Sequence, residues 1–93
     1  MERRTCDVFT AITDPQRRAI LTLLQQDDQS VHTLATALDL KRPQVTAHLQ
    51  ILYAADLVAI RKTGKERLYS LQLAGLNPLY DWLQHCMISH MGD

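Results

Sequence analysis

Arg42, Gln44, Thr46, His48 and Gln50 bring a guanidinium, two amides, a hydroxyl and an imidazole into one short stretch that contains no carboxylate before Asp56. Such groups suit the donor and acceptor pattern on the edges of base pairs. Lys41 and Arg42 stand at the front of the same stretch, where the free N–H groups of a helix start would join them in attracting a phosphate. Catalytic groupings are missing: the chain has no paired carboxylates, no Ser/His/Asp arrangement and no glycine-rich phosphate loop, and only three glycines with which to build one. An enzyme is therefore not expected, and no cofactor is implied. The remaining reactive groups are Cys6, Cys86 and His90. Cys86 and His90 are four apart on one helical face, and Cys6 can approach them across a dimer, so a soft N/S metal site, a thiol switch and inert buried cysteines all stay open.

The element that must carry the first group is a helix over 41–56. Val45, Leu49, Leu52 and Ala55 recur at three- and four-residue spacing as a core stripe, leaving Arg42, Gln44, Thr46, His48 and Gln50 off it. Pro43 belongs in its first turn, where the missing N–H costs nothing. An ordinary amphipathic surface helix has the same periodicity, so the flanking elements decide between the two readings.

Upstream, Asp14-Pro15 is an N-cap followed by a first helical position and opens PQRRAILTLLQQ, with Ile20, Leu21, Leu23 and Leu24 as the buried side. Arg17 and Arg18 in its first turns need a counter-charge, either a DNA phosphate or a group of the chain itself. After the polar Asp27-Asp28-Gln29, Ser30 caps VHTLATAL, whose stripe is Val31, Leu34, Ala35 and Leu38. Only Asp39, Leu40 and Lys41 separate it from the next helix, which is helix-turn-helix spacing, with small Ala35 at the close approach and Leu40 filling the turn. Downstream, Leu57–Ile60 and Leu68–Leu71 are strand-prone about a Thr63-Gly64 turn, and Arg61, Lys62, Lys65 and Arg67 cluster around the hairpin tip. A basic hairpin after a helix-turn-helix is the wing of a winged helix.

Ninety-three residues make a single domain, 1–93, mainly α with a small β-hairpin. No membrane span and no signal segment is evident, so a cytoplasmic protein is expected. Two cysteines do not make a disulfide framework. The net charge is zero but unevenly spread: −2 over residues 1–40, +4 over 41–67 and −2 beyond. That concentrates positive potential on the helix-turn-helix (30–56) and the wing (57–72), as expected of a face for double-stranded DNA. A first helix near Arg4–Ala11, with Val8, Phe9 and Ile12, is too short to stand alone. A last helix over 76–90 is apolar around much of its girth, with Leu76, Leu79, Tyr80, Leu83 and Met87 on one side. Segments 1–13 and 76–91 are accordingly assigned to a two-fold homodimer.

DPQRRAILTLL, LATALDLKRPQVTAHLQILYAADLV and IRKTGKERLYSL together resemble the ArsR family of bacterial winged-helix repressors, over nearly the whole chain from Phe9 to about His90. The ending LNPLYDWLQ further resembles a subgroup often found beside genes for polyketide-cyclase-like or START-type ligand-binding proteins. The resemblance implies a homodimeric repressor of an inverted-repeat operator, often in its own promoter. Its DNA-reading face would fall on Arg42, Gln44, Thr46, Ala47 and His48, with Lys62, Lys65 and Arg67 on the wing. Lys41 replaces the usual capping serine, and Ala47 a longer polar residue, which suits an apolar contact such as a thymine methyl. The family's metal-binding positions hold Ser30, His32, Leu73, Gly75, Cys86 and Ser89, which argues against metal sensing. A protein-interaction module is the rival reading, motivated by the zero net charge and the wide apolar last helix.

Overall fold

The structure, a computed structural model, describes residues 7–91. It runs α1 (Val8–Ala11), α2 (Pro15–Leu24), α3 (Val31–Leu38), α4 (Arg42–Ala54), β1 (Val58–Thr63), β2 (Glu66–Leu71), a 3₁₀ turn (Leu73–Leu76) and α5 (Asn77–Met91). The start expected for the first helix, and Cys6, lie outside the described residues.

Side chains start three of the helices. Asp7 accepts from the Thr10 amide at 2.9 Å, Asp14 from Gln16 and Arg17 at 2.7 and 3.3 Å, and Ser30 from Thr33 at 3.1 Å. Lys41 offers α4 no acceptor; instead Gln44 Oε1 accepts from the Lys41 amide at 2.9 Å, one half of a capping box. α3 and α4 end alike, with Asp39 (φ 56°) and Asp56 (φ 62°) in the left-handed region and a leucine following each. Leu40 N–H donates to Ala35 O at 3.0 Å and Leu57 N–H to Leu52 O at 2.9 Å, so each chain reversal turns its leucine toward the core.

The core is drawn from every element up to β2, with Ile20, Leu34, Val45, Leu49, Leu52, Leu57 and Val58 essentially inaccessible to water. Truncating Leu52 to alanine would cost roughly 2–5 kcal/mol. β1 and β2 pair antiparallel with Val58 opposite Leu71 and Thr63 opposite Glu66, closed by Gly64 (φ +61°) and Lys65. A positive φ at the first of two loop residues is the type II′ pattern, which follows the twist of the strands. Gln29, read from the sequence only as polar connection, exchanges both backbone hydrogen bonds with Tyr69, at 3.0 and 2.8 Å, and pins the α2–α3 loop to the wing.

Arg17 Nε donates to Ala11 O and Arg18 donates to Ile12 O, both at 2.7 Å. Of the two partners the sequence allowed, the structure thus gives both arginines carbonyls at the end of α1, where the helix dipole favours cations. Removal from water would raise the Asp14 pKa, but the Gln16 and Arg17 amides donating to its carboxylate, and the Arg17 charge beside it, outweigh this and bring it below the ordinary value. A carboxylate with a lowered folded pKa stabilises the fold above its unfolded value, and this contribution disappears as pH falls through the folded one. Asp14→Ala should therefore lower the melting temperature by a few degrees at neutral pH. The gap to wild type should close on acidification below about pH 4.

Gly75 in the 3₁₀ turn lies against the end of α4: a Cβ there would overlap the Asp56 carbonyl. Gly75→Ala should cost about 1–3 kcal/mol and shift the base of α5, seen as a lowered unfolding midpoint. One expectation needs correcting. Val8, assigned to a dimer contact, is 3% exposed and belongs to the protomer's own core, and Ile12, Leu76 and Leu79 also pack partly against that core. With α1 held by the Arg17 and Arg18 bonds, Val8 and Ala11 are consumed within the protomer while Phe9 stays exposed. None of the described helices is long and apolar enough to cross a membrane.

Candidate nucleic-acid interface

α4 shows three sides. Val45, Leu49 and Leu52 face the core; Thr46, Gln50 and Tyr53, again at spacings of four and three, face the wing; Ala47 is exposed. The strand register places Val58, Ile60 and Lys62 of β1 opposite Leu71, Tyr69 and Arg67 of β2, so these six share one face of the hairpin. Val58 and Tyr69 at its root are buried, and Lys62 and Arg67 beyond them are exposed. Exposed α4 side chains and the exposed wing cation Arg67 therefore border a shared cleft, lined by Thr46, Leu49, Gln50, Tyr53, Ile60, Arg67 and Tyr69.

Not every side chain expected on this surface is free for it. His48 turns toward α2: its Nε2 donates to Gln16 Oε1 at 3.0 Å, which leaves Nδ1 to accept from Arg17 at 3.4 Å. The imidazole thus braces α4 against α2. Gln44 is engaged in the half capping box, while Arg42 donates to His32 Nδ1 at 3.0 Å, tying the start of α4 to the first turn of α3. No local signal around His32 assigns it this part. Arg61 lies on the opposite hairpin face from Lys62 and pairs with Asp28 at 3.3 Å, an exposed contact worth roughly 0–1 kcal/mol. Lys41 and Lys65 are exposed, the latter in the turn itself. On α4, Tyr53 is the cleft residue that the sequence reading omitted, whereas Gln50 was read on the polar face but is not among the positions that the resemblance carries over.

The family model for bacterial regulatory proteins of the arsR family matches residues 14–59, from the Asp14 cap through α4 into β1. The transcriptional repressor SdpR of Bacillus subtilis is 34% identical over 77 residues, covering 83% of this chain and 86% of that protein. The chain belongs to the ArsR family. A second relative, the repressor SmtB of Mycobacterium tuberculosis, is 38% identical over 65 residues, 70% of this chain but only 48% of its own length. Among solved structures, an ArsR-like transcriptional regulator from Rhodococcus sp. RHA1 superposes with a TM-score of 0.78 at 38% identity, over 88% of this chain and 77% of that one. A Mycobacterium bovis fragment, described as a homodimeric winged helix-turn-helix DNA-binding domain, gives 0.71 at 28% identity, over 90% and 78%. This ArsR-family chain is thus a DNA-binding transcriptional regulator, mainly helical with an antiparallel wing.

Two further surfaces were expected. On α5, Tyr80, Leu83, Met87 and Ile88 are 45–62% exposed, and Trp82 meets exposed Phe9 of α1 edge-on at 6.1 Å. The apolar girth seen in the sequence is therefore uncovered within one protomer. Cys86 is free and exposed on the same helix, as is His90, but among the described residues no group of three or more His, Cys, Asp or Glu could hold a metal ion.

Proposed function

We propose that this chain is a sequence-specific repressor that binds an inverted-repeat operator as a homodimer in the cytoplasm, with its own promoter as the first candidate target. The observation that carries the reading is the joint border of α4 and the wing: Thr46 and Gln50 of α4 share a cleft with Arg67, whose partner across the hairpin is the exposed Lys62, within the one segment of the chain that carries net positive charge. In this reading α4 enters the major groove, Arg42 and Lys41 meet phosphate at its start, Thr46 and Ala47 read bases, and the wing grips the flanking backbone. Phe9, Tyr80, Leu83 and Met87 form the two-fold contact, to which Trp82 and Ile88 are added. The homodimeric M. bovis domain supports that arrangement. We assign the protein to a non-metal-sensing subgroup, in keeping with Ser30, His32, Leu73 and Gly75 at the family's metal positions.

Gel shifts with the DNA flanking its own gene test the proposal: tight binding that weakens steeply with salt is expected. Binding no tighter than to unrelated DNA would favour a protein-interaction module instead. Lys65→Ala should weaken all sequences alike and reduce the salt slope by about one per protomer, while Arg61→Ala should leave that slope unchanged because Arg61 is committed to Asp28.

A further inference from the structure

Among the described residues, apart from the α1/α5 face and Leu73, the large apolar side chains that the fold leaves in water are Tyr53 and Ile60, and both line the cleft between α4 and the wing. Leu49 and Tyr69, 1% and 6% exposed, are buried at its root, Thr46 and Gln50 supply a hydroxyl and an amide from α4, and Arg67 supplies a guanidinium from β2. Among the described residues no carboxylate pairs with Arg67. The cleft thus couples apolar walls to one uncommitted cation, and an occupant with an apolar body and a single anionic group satisfies both. Its volume, about 230 Å³, is below the roughly 300–1,000 Å³ usual for small-molecule sites.

Position supplies the rest. If α4 lies in the major groove and the wing reaches the neighbouring minor groove, the single DNA strand that divides those grooves has to cross between them. We infer that the cleft seats one deoxyribose-phosphate of that strand, the sugar against Ile60 and Tyr53 and its phosphate on Arg67, with Gln50 donating alongside. The inference rests on the DNA-binding reading above. It makes Ile60 and Tyr53 contacts for register, holding α4 at a fixed distance from the backbone independent of base identity.

Operator duplexes carrying one neutral methylphosphonate at a time, each tested with wild type, Arg67→Gln and Ile60→Thr, examine this directly. Both changed side chains are exposed, and thermal melts confirm folding before binding is measured. One methylphosphonate position per half-site should weaken wild type about tenfold yet leave Arg67→Gln unchanged. Arg67→Gln should also lose about 0.9 per protomer from the salt slope. Ile60→Thr should lower affinity several-fold with the slope intact. If Arg67→Gln adds to the loss at every methylphosphonate position, or Ile60→Thr binds like wild type, the seat is wrong while DNA binding itself stands. If folded wild type binds no duplex at all, the repressor reading falls with it. If benzoate shifts the Ile60 and Tyr69 amide resonances while no phosphate position couples to Arg67, the cleft belongs to a small effector, and the inference is overturned.

Discussion

Replacing Arg42, Lys62 and Lys65 together by alanine is expected to weaken operator binding at least about a hundredfold and to remove roughly three units of salt slope per protomer. The reason lies in what these side chains do when no DNA is present. Lys62 and Lys65 stand exposed at the end of the hairpin without a carboxylate partner among the described residues, and Arg42, also exposed, hydrogen-bonds His32. Removing them leaves no buried group unsatisfied, so the fold should survive and the loss should fall on binding. Fluorescence anisotropy across a salt series reads both quantities, and a triple variant with unchanged affinity would mean that DNA meets some other surface.

An effect of similar size is expected at the other end of the molecule. Leu83→Asp with Met87→Asp places carboxylates on a helix face that the proposed two-fold contact would bury against its own copy. Buried unpaired charges cost several kcal/mol, and the two-fold axis brings like charges toward one another. Sedimentation should then show a monomer with a preserved melting profile, since both positions are exposed in the protomer. Operator affinity should fall at least about a hundredfold, because two half-sites would no longer be bound together. A double variant that stays dimeric would move the contact elsewhere.

Much of this architecture can be read from the chain because local rules and global fold agree. Asp14-Pro15, Ser30 and the three-residue span Asp39–Lys41 mark helix starts and the turn by capping chemistry, and the structure places helices at Pro15, Val31 and Arg42. The wing follows from strand-prone residues on both sides of Thr63-Gly64, but its strands extend further, through the cations, so that Arg61 and Lys62 fall on opposite faces. Alternation decides that, and charge clustering alone does not reveal it. Partner choice was the least legible. Nothing local tells His48 to turn to Gln16 and Arg17, or Arg61 to find Asp28, because those contacts join segments about thirty residues apart in the chain. Val8 shows the same limit: periodicity identifies an apolar side but cannot say whether the protomer or its copy covers it. Gln29 makes a single-residue bridge, too short to have a period at all.

Hydroxyl-radical cleavage of the DNA upstream of the protein's own gene tests the central claim most directly. The account predicts two protected patches on one face of the duplex, centred one helical turn apart, about 10 base pairs, with protection extending outward where the wings lie. A single patch, or uniform cleavage at protein concentrations that saturate the gel shift, would contradict it.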